Sequence, residues 1–254
     1  MRRFLALSLL TVCSYGCSED DGISNYNCEE WTTVCSDTSL VLDPTKSNRK
    51  VLIIGIDGFR ADAMQASITP FMFELAQNPN TYFTDQNHVQ ELTFSGPNWG
   101  SLCTGVDLCK HNITSNDFED YRLDEFPHFF KYIEQAYENK NTVSIVNWTP
   151  INTYLAASVA DYAPTESTND HDVFLIAKNV LVQGVPLNPD ILFLHFDELD
   201  GAGHSYGYHP DVAEYASTLG TLDAYVDSLY SLIETKRNNG EDWLVCIISD
   251  HGGE

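Results

Sequence analysis

Three short apolar runs in this sequence each deliver a metal-competent group just beyond their carboxyl end. Asp57 follows VLIIGI, Asp200 comes shortly after ILFLHF, and Asp250-His251 follows WLVCIIS. Carboxylates and imidazoles in combination are the donor set of zinc and similar divalent cations. Singly, each has a plain alternative, since Asp-Gly after a strand is a turn signal and a His after Asp can be a cap or a surface residue. The conjunction is more specific. Asp200-Gly-Ala-Gly-His204 places a carboxylate and an imidazole four residues apart, with glycines that allow close backbone approach.

Ser95, within TFSGPNWGSLCTG, is the candidate nucleophile. A serine hydroxyl attacks poorly near neutral pH unless a base or metal draws off its proton. Pro97 suits the first turn of a helix, and a helix beginning here directs unpaired N–H groups at an anion beside Ser95. The competing reading is an N-cap serine. Trp99, Tyr206 and Tyr208 flank these residues and fit either stacking walls or ordinary packing.

The elements that must bring these groups together are legible as alternating patterns. The run at Val51–Ile56 is fully apolar, and those at Thr142–Val146, Ile191–Phe196 and Trp243–Ile248 behave similarly, as buried parallel strands do. Between them, Tyr215, Leu219, Leu222, Val226, Leu229 and Ile233 recur at helical spacing and predict a helix over Asp211–Lys236, stopped by Asn238-Asn239-Gly240. Phe126–Tyr137 and Val173–Val182 are shorter helix candidates. Alternation of this kind predicts a parallel sheet covered on both faces, with ligands at the carboxyl ends of its strands.

The chain of 254 residues predicts one sizeable α/β domain. Its formal charge of −24 opposes a nucleic-acid backbone, and no nucleic-acid-binding surface is expected. Met1-Arg2-Arg3 followed by the short apolar stretch Phe4 to Val12 resembles a secretory leader, so export is expected. Cys17 after Gly16 is a possible lipid-anchor cysteine. The expected division is a leader over 1–17, a polar tether over 18–48 and a catalytic domain over 49–254. No later stretch is apolar and long enough for a membrane span. An oxidising compartment permits local disulfides joining Cys28 to Cys35 and Cys103 to Cys109, with Cys246 a buried thiol. Asn112 and Asn147 lie in N-x-Thr sequons.

The segments VLIIGIDGFR, SGPNWGSLCTG, DELDGAGHSYG and IISDHGG resemble, in order and spacing, those of the alkaline phosphatase superfamily, above all its type I phosphodiesterase/nucleotide pyrophosphatase branch. The resemblance covers residues 50–254. It implies an α/β/α sandwich with a mostly parallel sheet, and hydrolysis of a small-molecule phosphodiester or nucleotide pyrophosphate through a phosphoseryl intermediate on Ser95. It further implies two divalent ions, zinc by family habit: one held by Asp57, Ser95, Asp250 and His251, the other by Asp200, His204 and a further histidine. Asn98 matches the position that holds a phosphoryl oxygen. The family's last histidine ligand follows the DHGG segment, whereas this sequence stops at Glu254, so a domain incomplete at its C-terminus is expected.

A sulfatase reading is disfavoured because its nucleophile pattern requires an arginine where Trp99 stands. A phosphomonoesterase needs an extra cation for the ester's second charge, for which Arg60 and Lys110 are the available donors. A metal-binding remnant without activity is the alternative from another class.

Overall fold

The computed structural model describes residues 48–86, 89–90, 92–137, 139–183 and 187–253. The expected leader, Cys17, the tether up to Ser47, and Cys28 with Cys35 lie outside the described residues.

Four strands, β1 (Arg49–Ile56), β2 (Thr142–Val146), β3 (Ile191–Phe196) and β4 (Asp242–Ile248), form one parallel sheet in the order β2-β3-β1-β4. Each matches an apolar run of the sequence to within two residues at either end. Side chains alternate between the faces of a strand, and here the alternation sorts the core in two. Leu52, Ile54 and Ile56 of β1 join Leu192, Leu194 and Phe196 of β3 in a cluster with α5 (Asp170–Gln183) and α7 (Ala213–Asn238). On the opposite face Ile53, Ile191 and Phe193 pack with α2 (Ser95–Thr104) and α4 (Phe129–Ala136). Helices therefore cover both faces, as expected.

The stripe on α7 is buried along its whole length, from Tyr215 to Ile233. At its middle Asp223 accepts the Phe71 and Met72 N–H groups at 3.0 and 2.8 Å, supplying the N-terminal partners of α1 (Pro70–Ala76) from another element. The helix expected over Phe126–Tyr137 begins later, at Phe129. His128 is its N-cap, accepting the Phe130 N–H through Nδ1 at 3.1 Å, and Pro127 precedes it.

Two further helices are α3 (Leu108–His111) and α6 (Glu198–Tyr206). α6 contains the Asp200-Gly-Ala-Gly-His204 segment, whose glycines hid its helical character. The expected Cys103–Cys109 disulfide does not form. Cys103 is a free thiol buried in α2, while Cys109 is disulfide-bonded and, with Cys246 also free, pairs with neither. Cys103 packs in the cluster of Trp99 and Phe130, which points its sulfur into the core. No helix among the described residues is long and apolar enough to cross a membrane.

Candidate active site

Parallel strands put all their carboxyl ends on one edge, and it is there that the chemistry collects. Asp57 leaves β1, its N–H bonded to the Phe196 carbonyl at the end of β3. Asp250 and His251 follow β4 one strand away. Ser95 opens α2 with Phe94 as the N-cap residue, so Ser95 occupies the first helical position and does not cap. The Gly96 N–H is taken by Asn116 Oδ1 at 2.8 Å. A Cβ at Gly96 would run into the Ser115 carbonyl, which explains the glycine beside the serine.

The Ser95 hydroxyl lies 3.4 Å from Asp57 Oδ1 and 3.4 Å from His251 Nε2. His251 Nε2 is in turn 3.2 Å from Asp57 Oδ1, 3.5 Å from Asp250 Oδ2 and 3.8 Å from Asp200 Oδ1. Its other nitrogen accepts the Gly253 N–H at 3.2 Å, and Nε2 faces the carboxylates. Asp57, Asp250 and His251 are all buried, and their ligand atoms lie within 4.8 Å of one another.

The fit of this group to a cation is visible in what the carboxylates lack. Asp250 Oδ1 accepts the Gly58 N–H at 3.4 Å, but its Oδ2 is buried without a hydrogen-bond partner. Burial and the neighbouring Asp57 charge push the Asp250 carboxyl well above the usual range. Burial likewise works against ionisation of Asp57, yet hydrogen bonds from His195 and His251 outweigh it and hold Asp57 well below that range. A buried carboxylate with an unpaired oxygen beside a second carboxylate is the arrangement that a divalent ion relieves.

Asp200 and His204 meet across one turn of α6, with Nε2 3.3 Å from Oδ2. The Asp200 side chain is largely buried, whereas that of His204 is 74% exposed. Among the described residues no third acidic, histidine or cysteine side chain completes a metal group with this pair. Tyr208 donates its hydroxyl to Asp200 Oδ1 at 2.5 Å. Its ring covers Gly203 and Gly253, where any Cβ would collide with it. Burial followed by the Asp57 charge raises the Asp200 carboxyl.

Asn98 stands one turn into α2, buried, with its amide fully engaged. It donates to the Leu92 and Phe94 carbonyls at 2.8 and 2.9 Å and accepts the Gln90 N–H at 2.8 Å. It thus ties down the segment leading into Ser95. Arg60 lies against Gly252, but its guanidinium is paired with Asp62 at 2.8 and 2.9 Å.

Two residues enter the site in roles the sequence did not give them: His195, which no motif flagged, and Trp99, read as a stacking wall or as packing. His195 Nε2 and Trp99 Nε1 both meet Asp57 Oδ2, at 3.1 and 2.8 Å. Trp99 is fully buried, which rules it out as a stacking wall for a ligand. Asp197, with Asp57 and His195, makes a second group of potential ligands, and burial raises its carboxyl to about 6. Asp170 accepts the Asp197 and Glu198 N–H groups at 2.8 and 3.0 Å and so holds the start of α6. Asn147 donates to the same Asp170 at 2.8 Å, so its sequon amide is committed inside the fold. The signal for His195 was its place in an otherwise apolar strand, on the face shared with Ile191 and Phe193.

Comparison with known proteins follows the same lines. The family model described as type I phosphodiesterase / nucleotide pyrophosphatase matches residues 51–136 and 127–254. An uncharacterised pyrophosphatase/phosphodiesterase of Schizosaccharomyces pombe is 26% identical over 223 residues, covering 80% of this chain and 44% of that protein. The human bis(5'-adenosyl)-triphosphatase ENPP4 is 26% identical over 241 residues, covering 85% and 49% respectively. This chain spans about half the length of the curated relatives it matches. Among solved structures, murine ectonucleotide pyrophosphatase/phosphodiesterase 5, in an inactive form bound to AMP, superposes with a TM-score of 0.63 at 21% identity, over 80% of this chain and 57% of that one. The fold is accordingly of the alkaline-phosphatase-like α/β type, and the chain belongs to the type I phosphodiesterase/nucleotide pyrophosphatase family.

Proposed function

We propose that this chain carries the nucleophile and most of the metal ligands of an exported hydrolase of phosphodiester or nucleotide pyrophosphate bonds. The observation that carries the reading is the Ser95 hydroxyl, set at the start of α2 and 3.4 Å from both Asp57 Oδ1 and His251 Nε2.

In this reading Asp57, Asp250, His251 and the Ser95 oxygen hold one divalent ion, and Asp200 and His204 contribute to a second. Zinc suits the mixed carboxylate and imidazole donors. Bound there, such ions lower the proton affinity of the serine hydroxyl and offset charge on the phosphoryl oxygens. Ser95 Oγ attacks phosphorus in line, the Oγ–P bond forming as the bond to the leaving alcohol or nucleotide breaks. The other ester group stays on phosphorus, so Ser95 carries a phosphoryl ester of the retained half of the substrate. Water then cleaves the Oγ–P bond, restores the hydroxyl and releases that half as a phosphomonoester. Asn98 is assigned to a phosphoryl oxygen. To reach it, the amide must exchange one of the two carbonyls it now holds, so substrate binding and the conformation of residues 92–94 are coupled.

A diester or pyrophosphate is favoured over a monoester because Arg60, the cation beside the Gly252 loop, is already paired with Asp62. The AMP found in the murine neighbour supports a nucleotide as the substrate class. The ectoenzyme relatives and the leader-like N-terminus support an extracellular or periplasmic setting.

Hydrolysis of a chromogenic phosphodiester by the zinc-loaded protein, with and without Ser95→Ala, tests the reading. Loss of the nucleophile should reduce turnover by roughly 10⁴-fold or more, while zinc content changes far less. Equal turnover in the two proteins refutes the assignment.

A further inference from the structure

Asp57 has two oxygens with different surroundings. Oδ1 faces the site, 3.4 Å from Ser95 Oγ and 3.2 Å from His251 Nε2. Oδ2 faces the protein interior, where the indole N–H of Trp99 donates at 2.8 Å and His195 Nε2 lies at 3.1 Å. All three side chains are completely buried. No water competes for these bonds, and the carboxylate plane is fixed from behind.

The fold builds this arrangement from three elements. Gly55 of β1 and His195 of β3 are paired in register, and Gly55 and Asp57 share one face of β1. A Cβ on Gly55 would collide with the Trp99 ring, so the glycine opens the space that the indole fills from α2. The indole then meets the imidazole edge-on, with centroids 4.9 Å apart. The ring nitrogen of each points to the same oxygen.

We infer that Trp99 and His195 are positioning residues that hold the Asp57 carboxylate with Oδ1 presented to the metal and to Ser95. Two donors on one oxygen bias the carboxylate toward binding through the other, and prevent it from turning both oxygens to a cation. The conjunction also couples the nucleophile to its ligand, because Trp99 and Ser95 are four residues apart on α2. A shift of the indole moves the start of that helix relative to Asp57. The inference rests on the assignment of Asp57 as a metal ligand made above.

The test is a zinc affinity, measured by competition with a chromogenic chelator on the full chain, for Trp99→Phe, His195→Phe and His195→Gln, together with the thermal midpoint of each metal-free protein. Trp99→Phe keeps most of the ring and removes the donor. His195→Gln keeps a donor where Nε2 stood. Loss of an outer partner of a ligand weakens binding by roughly 10- to 100-fold, and that loss is expected for Trp99→Phe and His195→Phe, with His195→Gln recovering most of it. Asp57→Asn is the control for the site itself. If Asp57→Asn abolishes tight zinc binding while the Trp99 and His195 variants bind like the parent, the positioning role is wrong and the site stands. If Asp57→Asn binds zinc like the parent, the site assignment itself fails. Should His195→Phe not fold, Trp99→Phe and His195→Gln decide the outcome: parent-like affinity in Trp99→Phe overturns the inference, as does a 10-fold loss in His195→Gln with no loss in Trp99→Phe.

Discussion

At the scale of single residues, the site is a compromise between charges that repel and a fold that packs them together. Asp57 and Asp250 lie side by side, buried, with only one fully hydrogen-bonded between them. Removing the unpartnered member has an unusual consequence. Asp250→Asn eliminates a carboxyl that burial and Asp57 already disfavour, so the metal-free protein should gain stability, by about 1 kcal/mol, while zinc affinity collapses. Chemical denaturation with and without chelator reads both effects, and a metal-free variant less stable than its parent contradicts the cost assigned to the unpartnered Asp250 oxygen. Tyr208 acts in the opposite sense. Its hydroxyl satisfies Asp200 and its ring fills the space over Gly203 and Gly253, tying α6 to the loop after β4. Gly203→Ala places a methyl against that ring and should destabilise the fold by roughly 1 to 3 kcal/mol, measurable as a lower denaturation midpoint.

At the scale of elements, two buried histidines make helix ends sensitive to acid. His128 accepts an N–H at the start of α4 through Nδ1, and His111 accepts the Ile113 N–H in the same way at 3.0 Å. Both must be neutral to accept. Burial lowers His128 from 6.5 to about 3, and burial, opposed by Asp107, lowers His111 from 6.5 to about 4. The unfolded chain takes up these protons near pH 6.5, before the folded chain does. The stabilisation is therefore complete above that pH and declines as pH falls through the window down to about 4, by about 1.4 kcal/mol per pH unit for each histidine. His128→Asn keeps a capping acceptor and removes the titration. Its urea midpoint should fall less steeply than the parent's between pH 6.5 and 4.5, and parallel profiles would rule out this role for His128.

The elements were also the most legible part of the sequence. Largely apolar runs marked all four strands, as expected of a covered parallel sheet, although Thr142, Ser144 and His195 interrupt them and β4 is only partly buried. The α7 stripe was equally plain. α6 was not, since two glycines within nine residues argue against a helix, and it is held instead by Asp170 from another element. The candidate ligands Asp57, Asp250 and His251 could be read because each stands just past a strand. Asp57's supports could not, because Trp99 and His195 meet it only through the strand register and the space over Gly55. The Cys103–Cys109 disulfide was suggested by proximity in sequence, but helix α2 turns Cys103 inward.

At the scale of the whole molecule, the chain carries a net charge of −24. In the proposed reaction bound cations would offset that field at the site, and the remainder would slow the approach of an anionic phosphodiester. Salt shortens the reach of this repulsion, from about 30 Å at 0.01 M to about 8 Å at 0.15 M. With zinc held saturating, kcat/KM for an anionic diester should rise severalfold between those ionic strengths, whereas kcat changes little. A fall across the same range would indicate a locally basic approach to the site.

Attack on phosphorus by Ser95 is the step on which the proposed function turns. The decisive measurement is to quench the zinc-loaded protein with acid during turnover of a phosphodiester and map the phosphorylated residue by mass spectrometry. A phosphoryl adduct on Ser95 that retains the substrate's second ester group in the parent, and none in Ser95→Ala, is the predicted result. Sustained turnover by Ser95→Ala, or the adduct carried on another residue, would contradict it.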